Sequence, residues 1–121
     1  MGIHRRRDRG IILRPPLVRL FSDQEKVVLW DLRVDDVRMD HVDFSWADLR
    51  RSRFSGVSFC GCDFSHANLH EVSFIACDLR GANLVSARLE GASFAGSWLT
   101  LAEGLTPAQW RYVAQQGGLF L

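Results

Sequence analysis

From Val42 to Leu101 apolar and polar residues alternate with a period of five: VDFSW, ADLRR, SRFSG, VSFCG, CDFSH, ANLHE, VSFIA, CDLRG, ANLVS, ARLEG, ASFAG, SWLTL. The third place of every block is Phe or Leu: Phe44, Leu49, Phe54, Phe59, Phe64, Leu69, Phe74, Leu79, Leu84, Leu89, Phe94 and Leu99. The first place is always small or β-branched, as in Val42, Ala47, Ser52 and Cys62. Two weaker blocks, LRVDD and VRMDH, extend the register back to Leu32, and VVLWD carries it to Val27.

A period of five matches neither the 3.6 of a helix nor the 2 of a strand. It suits a chain that turns a corner every five residues and winds into a solenoid, with the first and third places inward and the others facing water. Four corners close a square coil, so residues twenty apart stack. The interior then reads as four columns: Phe44-Phe64-Leu84, Leu49-Leu69-Leu89, Phe54-Phe74-Phe94 and Phe59-Leu79-Leu99. Gly56, Gly61, Gly81, Gly91 and Gly96 all occupy the fifth place, where the corner needs positive φ or tolerates no side chain. Asp or Asn recurs at the second place (Asp43, Asp48, Asp63, Asn68, Asp78, Asn83), where a short polar side chain bonds the turning backbone. Proline is absent between Leu17 and Thr106, as a solenoid with hydrogen-bonded coils requires.

The blocks ADLRR, ANLHE, CDLRG and ANLVS resemble the A(D/N)LXX motif of pentapeptide-repeat proteins. The resemblance implies an all-β solenoid, a right-handed quadrilateral β-helix, here of three to four coils. It implies little about activity, because members of that family serve unrelated roles.

A solenoid needs its ends covered. After Leu101, Thr106 reads as an N-cap, Pro107 as the first helical residue and Gln109 as the partner in a capping box, with the helix running to about Gln116 and Gly117 or Gly118 stopping it. Trp110, Val113 and Ala114 form its expected apolar stripe, followed by Leu119, Phe120 and Leu121. At the other end Leu17 to Trp30 is expected to cover the first coil, with Ser22 and Glu25 marking a helical turn. The expected organisation is an N-terminal arm and cap (1–26), the repeat β-helix (27–101), and a C-terminal helix and apolar tail (102–121).

Composition narrows the function. The chain has 121 residues, 47% hydrophobic and 24% charged, with a formal net charge of +1, which excludes a disordered or strongly basic chain. Apolar runs are too short to span a membrane, and Arg14, Pro15 and Pro16 interrupt any secretory h-region. Arg6 stands where a myristoylation motif from Gly2 needs Ser or Thr. A cytoplasmic protein with reduced thiols is expected. Cys62 and Cys77 sit at inward first places, and Cys60 at an outward fourth place as an exposed thiol. His66 and His70 fall on neighbouring sides of the square, which disfavours a metal site. With no converging acid/base groups, phosphate loop or nucleophile elbow, the chain is read as non-catalytic, with no cofactor and no small-molecule substrate.

The function is therefore expected on the outer surface, as a protein-interaction or scaffold module. The side formed by blocks at Ser52, Val72 and Ala92 shows one charge, Arg53, among nine outward residues. Ile75, Ala76 and Ala95 on that side, with Trp110, Val113, Leu119 and Phe120 at the C-terminal end, are the candidate interface, either for an unidentified protein partner or for a homodimer. A second alternative follows from the family: some members protect DNA gyrase by imitating duplex DNA. Three coils at about 4.8 Å make a stack of roughly 15 Å, against which DNA sets about nine charges. Residues 42–101 hold five Arg against six Asp or Glu, far fewer net charges than that. A third is nucleic-acid contact through the basic arm His4–Arg9, within residues 1–26, where seven Arg or Lys face three Asp or Glu. The arm itself reads as a solvated terminus.

Overall fold

A computed structural model describes residues 30–120, together with the backbone of residues 3–5. Its architecture follows from one corner repeated every five residues. At most corners the first-place amide returns to the third-place carbonyl of the preceding block, as in Ala47 N–H to Phe44 O (3.1 Å) and Cys62 N–H to Phe59 O (3.1 Å). The intervening fifth-place residue takes a positive φ at all twelve corners from Trp46 to Leu101, between 51° and 74°. Only five of the twelve are Gly, so the left-handed backbone is the requirement and a side chain there is tolerated. Two of the glycines differ in what surrounds them. A Cβ on Gly61 would lie 2.6 Å from His41 Nδ1, whereas one on Gly81 would meet nothing nearer than 3.9 Å.

One circuit takes twenty residues. Parallel bridges join Asp43 to Asp63 and Asp63 to Asn83, and the same step of twenty links Asp48, Asn68 and Arg88 on the next side. Between turns each strand both donates and accepts, as in Phe44 N–H to Asp63 O (2.7 Å) and Asp63 N–H to Val42 O (3.1 Å). One side is regular enough to form strands β2 (Leu32–Asp35), β3 (Arg53–Ser55) and β4 (Ser73–Ile75), paired in parallel.

The N-terminal edge of that sheet is covered by β1 (Ile3–Arg5), which runs antiparallel to β2 with Ile3 opposite Val34 and Arg5 opposite Leu32. This corrects the expectation of a solvated arm at residues 3–5: an unpaired edge strand exposes a row of amides and carbonyls, and β1 supplies their partners. The expected covering segment Leu17–Leu29 lies outside the described residues.

Inside, Phe44, Leu49, Phe54, Phe59, Phe64, Leu69, Phe74, Leu79, Leu84, Leu89, Phe94 and Leu99 are all at most 3% exposed. Phenylalanines stack along the axis (Phe44 on Phe64 at 5.1 Å, Phe74 on Phe94 at 5.3 Å) and meet edge-to-face across it (Phe54 and Phe59, 5.1 Å). The first-place Ser52 and Ser97 are fully buried with their hydroxyls bonded to backbone: Ser52 Oγ accepts from Leu32 N–H at 3.1 Å, and Ser97 Oγ accepts from Cys77 N–H at 3.0 Å.

After the repeats, helix α1 (Pro107–Gln115) begins at Thr106, whose hydroxyl accepts the Gln109 amide while Gln109 Oε1 accepts the Thr106 amide. Its inner face differs from the expected stripe. Val113 is fully buried, but Trp110 and Ala114 face outward and the half-buried Gln109 and Tyr112 face the last turn. The reason is polar: among the described residues no further coil stacks on the last carbonyls, so Gln109 Nε2 donates to Ala87 O (3.1 Å) and Tyr112 Oη to Ala92 O (2.9 Å). Gly117, at φ 92°, ends the helix. The following residues run along the open edge, with Phe94 N–H donating to Gln116 O (3.0 Å) and Leu99 N–H to Leu119 O (2.7 Å).

Candidate interaction surface

The second-place carboxylates are fixed by their own corners. Asp43 Oδ1 accepts from the Ser45 amide (2.9 Å) and hydroxyl (2.6 Å), and Asp63 Oδ1 from the Ser65 amide (2.8 Å). Asp48 departs from the outward rule. It is 4% exposed beneath Trp30, whose indole N–H donates to Oδ2 at 2.9 Å, while Arg50 Nε reaches Oδ1 at 2.9 Å. Burial raises its pKa, but the bonds from Arg50 and Trp30 outweigh that and leave the carboxyl below its ordinary value.

One neighbouring side gathers more chemistry. Asp40 Oδ1 accepts from Ser58 Oγ (2.5 Å) and from the Cys60 amide (2.9 Å), and Asp78 forms a two-pronged pair with Arg80 at 2.9 and 2.6 Å. The bonds from Arg80 hold Asp78 down at about 2. Cys60, expected to be exposed, is half-buried because it stacks between the Asp40 and Arg80 rows of adjacent turns, and burial followed by the Asp78 carboxylate pushes its thiol up. Cys62 and Cys77 are core thiols pushed by burial to about 12 and about 11. His66 stacks flat on Trp46 (4.2 Å), and His70 Nε2 lies 3.2 Å from Glu71 Oε1. Among the described residues no three His, Cys, Asp or Glu side chains converge in the manner of a metal site.

The candidate interface residues separate into two groups. Ile75 is half-buried, and Ala76 and Ala95 are exposed, all on the β3–β4 side. That side is not uncharged along its whole length, because Arg33 and Asp35 continue it onto β2. At the C-terminal end Val113 is fully buried and cannot touch a partner, whereas Trp110 (48% exposed) stacks on Phe120 at 4.0 Å. Leu119 bridges to Trp98, which is itself 40% exposed, and Leu101 at the same end is 80% exposed. Trp98 and Leu101 were not singled out from the sequence; the available signal was large apolar residues at the outward second and fifth places. No helix among the described residues is long and apolar enough to cross a membrane.

A left-handed corner every fifth residue, twenty-residue turns and Phe/Leu columns define a β-solenoid of five-residue repeats. The family model for pentapeptide repeats matches residues 38–74 and 67–102, eight copies in all, and the chain belongs to that family. Among solved structures it is similar to Rfr23, a pentapeptide-repeat protein from the cyanobacterium Cyanothece 51142 (22% identity, TM-score 0.62, 64% of this chain and 54% of that one). Weaker likenesses include a trypsin-treated variant of QnrB1, a plasmid-mediated fluoroquinolone resistance protein (23%, TM-score 0.45, 69% and 51%). Another is HetL from the cyanobacterium Nostoc, involved in heterocyst differentiation regulation (21%, TM-score 0.36, 74% and 47%). The chain spans about half the length of these proteins, and the likenesses concern the fold. No curated protein matches it significantly.

Proposed function

We propose that the protein is a non-catalytic protein-interaction or scaffold module that works in the cytoplasm. In this proposal residues 27–101 form a right-handed quadrilateral β-helix of three to four coils. Residues 1–26 are its N-terminal arm and cap, and residues 102–121 close its other end. The supporting observation is the exposed apolar surface at the C-terminal end, where Trp98 bridges to Leu119 and the following Phe120 stacks on Trp110. Large, partly exposed aromatics are the residues that anchor protein contacts. The interior is filled by Phe and Leu, so binding falls to the outer surface. The β3–β4 side at Ile75, Ala76 and Ala95 is the second contact, and a second copy of the chain is the simplest partner. Light scattering after size exclusion tests this: the native chain is expected to self-associate and Trp110→Glu or Ile75→Glu to lower the mass. A monomer at every concentration, with both variants retaining the partners of the native chain in its host, would overturn it.

One observation favours DNA gyrase as an alternative partner. Asp43, Asp63, Asn83 and Glu103 form a single row, and the repeats that carry it, VDFSW, CDFSH, ANLVS and AEGLT, contain no Lys or Arg. Relief of fluoroquinolone inhibition in a supercoiling assay, lost in Asp43→Asn/Asp63→Asn, supports that partner, and no relief removes it.

A further inference from the structure

Arg33 and Arg53 occupy matching positions on β2 and β3, and Ser73 continues the row on β4, while β1 sets His4 opposite Arg33. Adjacent strands lie about 4.8 Å apart, so two arginines in register repel unless a negative group lies between them. Arg51 enters from the adjoining corner, and the three arginines line one open cleft of about 480 Å³ together with Asp31, Glu71 and Ser73. The carboxylates around it are engaged. Asp31 lies 3.5 Å from Arg51 Nε, Asp35 lies 3.5 Å from Arg33 Nε, and Glu71 lies 3.2 Å from His70 Nε2. Arg53 has no ion pair with any described residue.

We propose that this cleft binds a phosphate group. A carboxylate offers two oxygens and satisfies one guanidinium fork. A phosphate offers enough oxygens to bridge the forks of Arg33 and Arg53 and still accept the Ser73 hydroxyl, with Arg51 adding charge from the corner. Such a bridge turns the repulsion between in-register arginines into attraction for the ligand. The site shares its side of the solenoid with Ile75, two residues along β4 from Ser73, and lies toward the β2 end, away from Trp110 and Phe120.

The test is an amide NMR titration of the full chain with inorganic phosphate in one arm and glycerol phosphate in the other, against sodium chloride at matched ionic strength. Saturable shifts at Arg33, Arg51, Arg53 and Ser73 in either phosphate arm are expected, and the tighter arm identifies the source as free phosphate or a phosphate ester. Arg53→Gln and Arg33→Gln should each weaken binding about tenfold or more, as loss of a charge-assisted hydrogen-bond pair does, while Arg111→Gln on α1 should not. Shifts that chloride reproduces, or undiminished binding by the Arg53→Gln variant with its spectrum otherwise native, would overturn the proposal.

Discussion

The buried hydroxyl of Ser97 accepts the amide of Cys77 at 3.0 Å and donates to the carbonyl of Phe74 at 2.9 Å, so it bridges the two ends of a corner in the turn before its own. The same step of twenty-three residues recurs where Cys77 Sγ reaches Phe54 O (3.3 Å) and Cys62 Sγ reaches Met39 O (2.9 Å). Ser97→Ala leaves a buried amide and a buried carbonyl without that partner, and should cost about 1–3 kcal/mol. Ser97→Cys should cost less, because a thiol already fills the equivalent place at Cys77. Urea unfolding of both variants, with the exposed Ser86→Ala as the near-neutral control, checks the order.

The corners make opposite predictions for two neighbouring types of site. Ala76 holds φ at 51° and carries the cost of a left-handed L-residue, about 1–2 kcal/mol, part of which Gly recovers against its greater freedom when unfolded. Ala76→Gly should therefore stabilise by up to about 1 kcal/mol. Gly81→Ala should cost about the strain alone, roughly 1–2 kcal/mol, since the added methyl has room. Gly61→Ala should cost more than Gly81→Ala, because its methyl also meets the His41 ring. Thermal melts of the three variants rank them.

Asp78 links stability to acid. Its carboxyl, held by Arg80 at about 2 against an ordinary 3.8, is charged and bonded in the folded chain where the unfolded chain has begun to take up protons. The stabilisation is fully present above pH 4 and is lost as pH falls from about 4 through about 2. Arg80 is well exposed, so solvent screening reduces it to on the order of 1 kcal/mol. Asp78→Asn should lower stability at pH 7 and flatten the acid limb of a stability–pH curve; an unchanged limb would assign the acid response to other carboxylates.

The solenoid was legible in the chain because one physical requirement, a corner every five residues, writes itself onto every block. The third-place Phe and Leu residues, the corner geometry and the capping box from Thr106 are all local patterns. Asp48 was not legible as a buried carboxylate, since its cover comes from Trp30 eighteen residues earlier. β1 was not legible either: three residues carry no period, and their pairing with β2 depends on an edge that exists only after the coils form. The inner face of α1 was misjudged for a related reason. Hydrophobicity pointed to Trp110 and Ala114, but the last turn presents carbonyls as well as apolar surface, and the polar groups of Gln109 and Tyr112 meet them.

The three thiols should separate in a native-state reaction with a thiol reagent. Cys62 and Cys77 are buried, with thiols raised to about 12 and about 11, so they offer almost no thiolate at pH 8. Cys60 is half-buried and raised to an extent set by its burial and the Asp78 charge. One thiol should react slowly before unfolding and the other two only with it. Asp78→Asn should speed the first phase by removing the nearby negative charge, and mass mapping of the labelled peptide identifies the residue.

Tyr112 gives the sharpest test of how the end of the solenoid is closed. Within the coils, a second-place amide bonds the first-place carbonyl twenty-one residues earlier, as Asn68 N–H does to Ala47 O (2.9 Å) and Glu103 N–H to Ala82 O (2.9 Å). The next carbonyls in that series, Ala87 O and Ala92 O, are instead met by the side chains of Gln109 and Tyr112. Tyr112→Phe keeps the ring packed against the core and removes only the hydroxyl, so its cost should be that of one hydrogen bond, about 0.5–1.5 kcal/mol. Val113→Ala, which opens a cavity under the helix, should cost about 1–3 kcal/mol within the range for trimming a buried side chain. Hydrogen exchange distinguishes the two: Tyr112→Phe should speed exchange at the Phe94 and Leu99 amides, which bond the residues after the helix, while the Phe44 amide in the coils toward the other end keeps its protection. Equal acceleration at all three would mean that the helix stabilises the whole solenoid as one unit rather than sealing its last turn.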